Sequence, residues 1–195
     1  LVGASLLAFA SFPYRALAAC VGDGSANTCT LVLTPPGANE ADIVAGTADG
    51  GAGTDKLIFN TAGLTLNANA IGAALSGTVR FVNFEEAQVT AGSSLTLTGA
   101  VSTTAPTQSL TWTIDATGAL FARGGDAIGN VSAVTVNGLL EIGGGAAFFD
   151  ETIGSLAGAG SVSLLNGKIL TAGGNGSTTT FAGVISGTGG FTKIG

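Results

Sequence analysis

Histidine is absent from this 195-residue chain, and with it any nucleophile activated by an imidazole base. Cysteine is scarce: 2 thiols and no imidazole leave no third or fourth ligand for a zinc site. Charge is thin as well. Asp, Glu, Lys and Arg make up 9% of residues, against about 25% in an average soluble domain. The 6 basic residues (Arg15, Lys56, Arg80, Arg123, Lys168, Lys193) stand singly and the net charge is −6, which argues against nucleic acid as a partner. The glycine-rich stretches lack the Lys-Ser/Thr ending of a phosphate-cradling loop. No window sustains a capped helical period; Asn69 to Leu75 comes closest and reads as a loop.

What is present is glycine and short apolar pulses. Disorder requires low hydrophobicity and high net charge, and a chain that is 46% hydrophobic meets neither condition. The pulses are short, three to five residues each: Leu57-Ile58-Phe59, Leu64-Thr65-Leu66, Val79 to Val82, Leu95 to Thr98 and Leu110 to Ile114. In the last, Leu110, Trp112 and Ile114 face one way and Thr111 and Thr113 the other, the period of a half-buried strand. The fold class is therefore all-β.

Weak internal repetition selects the architecture. The Leu-Thr-Leu pulses at Leu64 and Leu95 are 31 apart, and Asn137-Gly138 and Asn166-Gly167 align 29 apart. Each Asn-Gly segment precedes a glycine pair, Gly143-Gly144 or Gly173-Gly174. Periods of this size mark repeat architectures. The reading is a right-handed parallel β-helix of about 20–30 residues per coil, with glycine-rich turns at 158–160, 173–176 and 187–190. A β-sandwich with Asn-Gly hairpins is the competing fold. The final stretch, Thr179 to Gly195, reads as coils cut in mid-repeat, so the natural protein is expected to be longer.

At the other end, residues 1–19 read as the remnant of an export signal. Leu6, Leu7, Phe9 and Phe12 form its apolar core, and Ala16-Leu17-Ala18 gives an A-x-A cleavage pattern. Pro13, Tyr14 and Arg15 interrupt the run, which is too short for a membrane span. An ordinary buried element is the plainer alternative. In an oxidising compartment, Cys20 and Cys29 most simply close a small disulfide loop, contributing about 2–3 kcal/mol. Leu17-Ala18-Ala19-Cys20 also fits a lipobox, with Cys20 lipidated instead.

Three acidic features are candidates for chemistry. Gly50 to Ile58 fits the calcium nonapeptide G-G-x-G-x-D-x-U-x, yet neither flanking nonapeptide repeats it, so the plainer reading is a glycine turn capping a strand at Leu57. Glu85-Glu86 and Asp150-Glu151 are adjacent carboxylates of the kind a β-helix glycosidase or lyase needs. Neighbours along a strand point to opposite faces, so neither pair converges by itself. No catalytic, metal-binding or cofactor-binding residue is assigned.

From Ile153 to Gly195 the chain resembles the passenger-associated transport repeat of bacterial autotransporters, through its glycines, Phe181, Val184-Ile185 and Lys193. The likeness is moderate over Asp49 to Ala100, where Asn83-Phe84-Glu85-Glu86 resembles a passenger strand with Phe84 packed and the acids solvated. It is weak over Val101 to Asn130. The resemblance implies a non-enzymatic passenger segment over 20–195, exported to the cell surface or medium. The repeat at about 153–195 would assist folding and translocation across the outer membrane. The implied partners are the protein's own C-terminal translocator barrel, which this chain lacks, and a host or neighbouring-cell surface bound in adhesin fashion. Such passengers often carry a close cysteine pair after signal cleavage, which favours the Cys20–Cys29 disulfide, and a lone Gly-Gly-x-Gly-x-Asp segment, which favours the bland reading of Asp55. The rival function is an extracellular β-helix enzyme acting on polysaccharide.

Overall fold

The computed structural model describes residues 53–72, 81–100, 110–145 and 149–195, together with three strands before them. Those strands are β1 (Arg15–Leu17), β2 (Thr28–Thr34) and β3 (Ala48–Asp49). Next come β4 (Lys56–Phe59), β5 (Leu64–Asn67), β6 (Ile71–Gly72), β7 (Phe81–Val82), β8 (Glu86–Val89) and β9 (Ser94–Thr98). Then follow β10 (Thr111–Ile114), β11 (Ala119–Ala122), β12 (Ala133–Val136), β13 (Leu139–Ile142) and β14 (Glu151–Ile153). The last are β15 (Ser155–Gly158), β16 (Ser161–Leu164), β17 (Ile169–Ala172), β18 (Val184–Gly187) and β19 (Gly190–Lys193).

Apart from β1 with β2 and β6 with β7, successive strands do not pair with each other. Each pairs in parallel with the strand one coil away. The first stack runs β2-β4-β8-β10-β12-β15, the second β5-β9-β11-β13-β16-β18, and the third β14-β17-β19. A small sheet joins β3, β7 and β6. The chain passes from stack to stack and returns one coil further on, which makes a parallel β-helix. Among the described residues, β1 on β2 is the antiparallel pairing, with Ala16 opposite Leu33.

The alternation seen in the sequence sets the register. Strand after strand places every second residue inside, because a strand turns successive side chains to opposite faces. Down the second stack the inner column is Leu64, Leu95, Leu120, Leu140, Val162 and Ile185. Its spacings shrink from 31 to 25 and 20 residues, then settle at 22 and 23. The coil length drifts, so no fixed period survives in the sequence. In β10, Leu110, Trp112 and Ile114 are buried while Thr111 is exposed, as the alternation requires.

One repeat seen in the sequence is the stacking register and one is not. Leu64 and Leu66 pair with Leu95 and Leu97 directly. The Asn-Gly alignment is a coincidence of corner chemistry. Asn137-Gly138 turns from β12 to β13, the first stack to the second, whereas Asn166-Gly167 turns from β16 to β17, the second to the third. Gly138 lies instead against Gly160, 22 residues on, whose Cβ would strike the Gly138 carbonyl oxygen. Asn69 to Leu75, read as a loop, is partly regular: Ala68–Ala70 forms one 3-10 turn and β6 follows at once. The Asn67 side chain caps that turn by accepting from the Asn69 N–H.

A column of glycines lines the corner between the first two stacks. A Cβ on Gly118 would meet the carbonyl oxygens of Val89 and Thr90, on Gly138 that of Gly118, on Gly160 that of Gly138, and on Gly183 that of Gly160. Here glycine is required by contact between successive coils, because a backbone carbonyl occupies the place of a side chain.

Candidate functional site

The cysteine pair cannot be placed: Cys20 lies outside the described residues, and Cys29 falls in β2, for which only the backbone is described. The Gly50–Ile58 segment enters the described residues at Gly53, with φ of 134°, and leads into β4 at Lys56. Asp55 is buried. Its N–H donates to Glu85 Oε2 at 2.8 Å, and its carbonyl accepts from the N–H groups of Glu85 and Glu86 at 3.0 and 2.9 Å. Asp55 thus stitches its coil to the next. Among the described residues, no group of three or more His, Cys, Asp or Glu is placed to hold a metal ion.

Glu85 and Glu86 occupy the same seam. Phe84 is buried, Glu85 is exposed, and Glu86 is half-buried in an ion pair with Lys56 on β4 at 2.8 Å. Both carboxylates are engaged with the preceding coil.

Asp150 and Glu151 diverge, as neighbours on a strand must. Asp150 is exposed and accepts the Ile169 N–H at 2.9 Å. Glu151 turns inward and is 1% exposed, in the column it shares with Leu170 and Phe191. The preceding coil has no strand at this side. Its residues 123–132 form a loop carrying the buried Ala127 and Ile128. A strand there would have its N–H groups paired by the ladder; in the loop they need another acceptor. Glu151 supplies it, taking the Ala127 N–H on Oε2 and the Ile128 N–H on Oε1, each at 3.0 Å.

Burial pushes the Glu151 carboxyl up to about 8. Backbone hydrogen bonds from Ile128, Ala127 and Thr152 pull the other way, and nearby Asp126 adds to the rise. Asn130, with its amide nitrogen turned inward, ties the loop further by donating to Asp126 Oδ1 at 3.0 Å and the Thr152 carbonyl at 3.2 Å. A carboxyl perturbed this far is often a catalytic acid. Here both oxygens are held by backbone, and Glu86 sits on a different face, in the first stack rather than the third. The arrangement performs structural work: a side chain standing in for a missing strand.

Sequence reasoning missed this residue's burial. The available signal was Ile153: two positions on in the same strand, an inward isoleucine puts Glu151 inward too.

The remaining candidate region is the end coil. Phe181 bridges to Gly158, and β18 and β19 pair with β16 and β17. Val184 is 62% exposed, and Phe191 and Ile194 are exposed as well. The Lys193 ammonium donates to the Ile194 carbonyl.

No protein-family model, curated protein or solved structure matches the chain.

Proposed function

We propose that the chain is a non-enzymatic β-helical stalk, a passenger segment of an autotransporter exported to the cell surface or medium. On this reading its 153–195 region assists folding and passage across the outer membrane. The observation that carries the reading is the nature of the end coil. The residues that resemble the transport repeat are the ones that build β18 and β19 on β16 and β17. Stacked coils template one another, so a coil formed outside the cell offers a ready ladder to the next and draws folding along the rod. The paired acids support a scaffold rather than an enzyme, since they are spent on contacts between coils.

The experiment is surface display of the chain joined to a translocator barrel, with and without Thr179–Gly195. Display read by protease accessibility should fall on deletion. Equal display of both forms rejects the role given to that segment. Turnover on a panel of uronates or glycans would revive the polysaccharide-enzyme reading.

A further inference from the structure

The antiparallel pairing among the described residues sits at the end of the first stack, where β1 lies along β2. The two strands contrast as edges. β2 has 7 residues, more than any other described strand, and reads Thr-Cys-Thr-Leu-Val-Leu-Thr. It is built of residue types that favour strands, and it holds no charge and no proline to discourage another chain from pairing with it. β1 has 3 residues, opens on Arg15 and follows Pro13 by two positions. A short strand, a positive charge and a nearby proline each blunt an edge. β1 therefore replaces a long uncharged edge with a short charged one. We propose that β1 is an edge guard: paired with residues 32–34 it keeps the chain single, and its removal opens β2 to antiparallel pairing with β2 of a second copy.

Symmetry selects that partner. One side of β2 is taken in parallel by β4, with Thr28 opposite Lys56 and Leu31 opposite Phe59. The side that β1 occupies takes a strand running the other way, with Ala16 opposite Leu33 and Leu17 opposite Val32. Two copies related by a two-fold axis present the same strand to each other in opposite directions, so β2 meets β2 in the sense that β1 already has. Turned about Leu31, the strand pairs with itself along its full length, Thr28 opposite Thr34 of the second copy, and no charge meets a like charge.

The means of release lies in the same residues. Ala16-Leu17-Ala18, the pattern of an export-signal cleavage site, overlaps β1 at Ala16 and Leu17. A peptidase that adds water across the peptide bond after Ala18 detaches β1 and leaves β2 in the coil stack. Only this cut rests on the export reading above; the guard itself does not. Pairing then takes place at the β2 end of the first stack and leaves the β15 end untouched.

The test is the mass of the full chain in solution, by sedimentation equilibrium over a range of concentrations. It needs no cut, so a failure of the export reading leaves its outcome unchanged. The parent should sediment as a single chain. Ala16→Pro with Leu17→Pro removes two N–H groups from β1, unpairs it, and should raise the apparent mass about twofold as concentration rises. Adding Thr30→Lys puts a lysine on the β2 edge of each copy and should restore the single chain. An unguarded variant that stays single overturns the proposal. So does a parent that is already paired, or a dimer that T30K leaves intact. Fluorescence of Trp112, buried in the coil stack, reports whether the fold survives the substitutions. Should the double variant lose it, A16P alone is put through the same measurements and decides by the same outcomes.

Discussion

Trp112 stacks on Phe59 across an intervening strand, with ring centroids 6.2 Å apart and planes 10° from parallel. The two lie on β10 and β4, with β8 between them. Their contact depends on Ala87, which occupies the inner column between Leu57 and Trp112 and is too small to fill it. The indole takes up the space that Ala87 leaves and joins three coils into one packed unit.

Ala87→Leu should therefore destabilise the chain by about 1–3 kcal/mol, although it adds apolar surface to a core position. Trp112→Ala should cost about 3–5 kcal/mol through the cavity it leaves. Urea unfolding measures both. Trp112 is the only tryptophan, so its fluorescence in A87L also reports whether the indole has been displaced. An A87L variant as stable as the parent would mean that the core has room the packing does not reveal.

The glycine column predicts a contrast between two kinds of glycine. At Gly138 a methyl group would run into the Gly118 and Asp115 carbonyl oxygens, which the ladder holds fixed. Gly138→Ala should cost about 3 kcal/mol or more, the upper end of overpacking. Gly167, with φ of +71°, has nothing within 4 Å of a built Cβ. Gly167→Ala should cost about 1–2 kcal/mol of backbone strain. Thermal melts of the pair decide. Equal losses would remove the case for contact between coils at the corner.

Two ion pairs between successive coils should separate by burial. Lys56 and Glu86 meet at 2.8 Å with side chains 33% and 37% exposed, and water competes for both ends. Glu86→Ala should change stability by about 0–1 kcal/mol, less in high salt. Glu141 is more enclosed, and its partner Arg123 also lies over the Phe121 ring, 5.1 Å from the centroid. Glu141→Ala should cost about 1.5–3 kcal/mol and respond weakly to salt, because it strands a guanidinium that is already short of acceptors at Nη1. Denaturant melts at low and high ionic strength test the pair. A larger loss at Glu86 would reverse the ranking.

The sequence showed the strands plainly because burial alternates within each one, and alternation is local. Leu64, Leu66, Leu95 and Leu97 revealed even the stacking partner, since two coils in succession used the same residues at the same inner positions. Further on, chemistry at a stacked position changes while geometry persists. Ala87 gives way to Trp112 and then to Val134, so identity matching fails where register holds. Glu151 was illegible for a different reason. Its inward position reflects a neighbouring coil that lacks a strand, and nothing in its own segment records that need except the phase set by Ile153.

The two Asn-Gly pairs give the sharpest comparison, because they look alike in sequence and sit at different corners. Asn166 adopts φ of 54° and its Nδ2 donates to the Gly143 carbonyl at 2.7 Å, reaching back to the coil before. Asn137 is exposed, and its backbone N–H is what binds the previous coil, donating to the Ile114 carbonyl at 2.8 Å. Replacing each by aspartate removes a side-chain donor and leaves the backbone unchanged. Asn166→Asp turns a hydrogen bond into a carboxylate facing a carbonyl and should cost about 1–3 kcal/mol. Asn137→Asp alters a solvent-facing group and should stay within about 0.5 kcal/mol. Chemical denaturation of the two variants side by side measures the difference. If N137D proved the more damaging, the side-chain peg at Asn166 would not be what joins those coils.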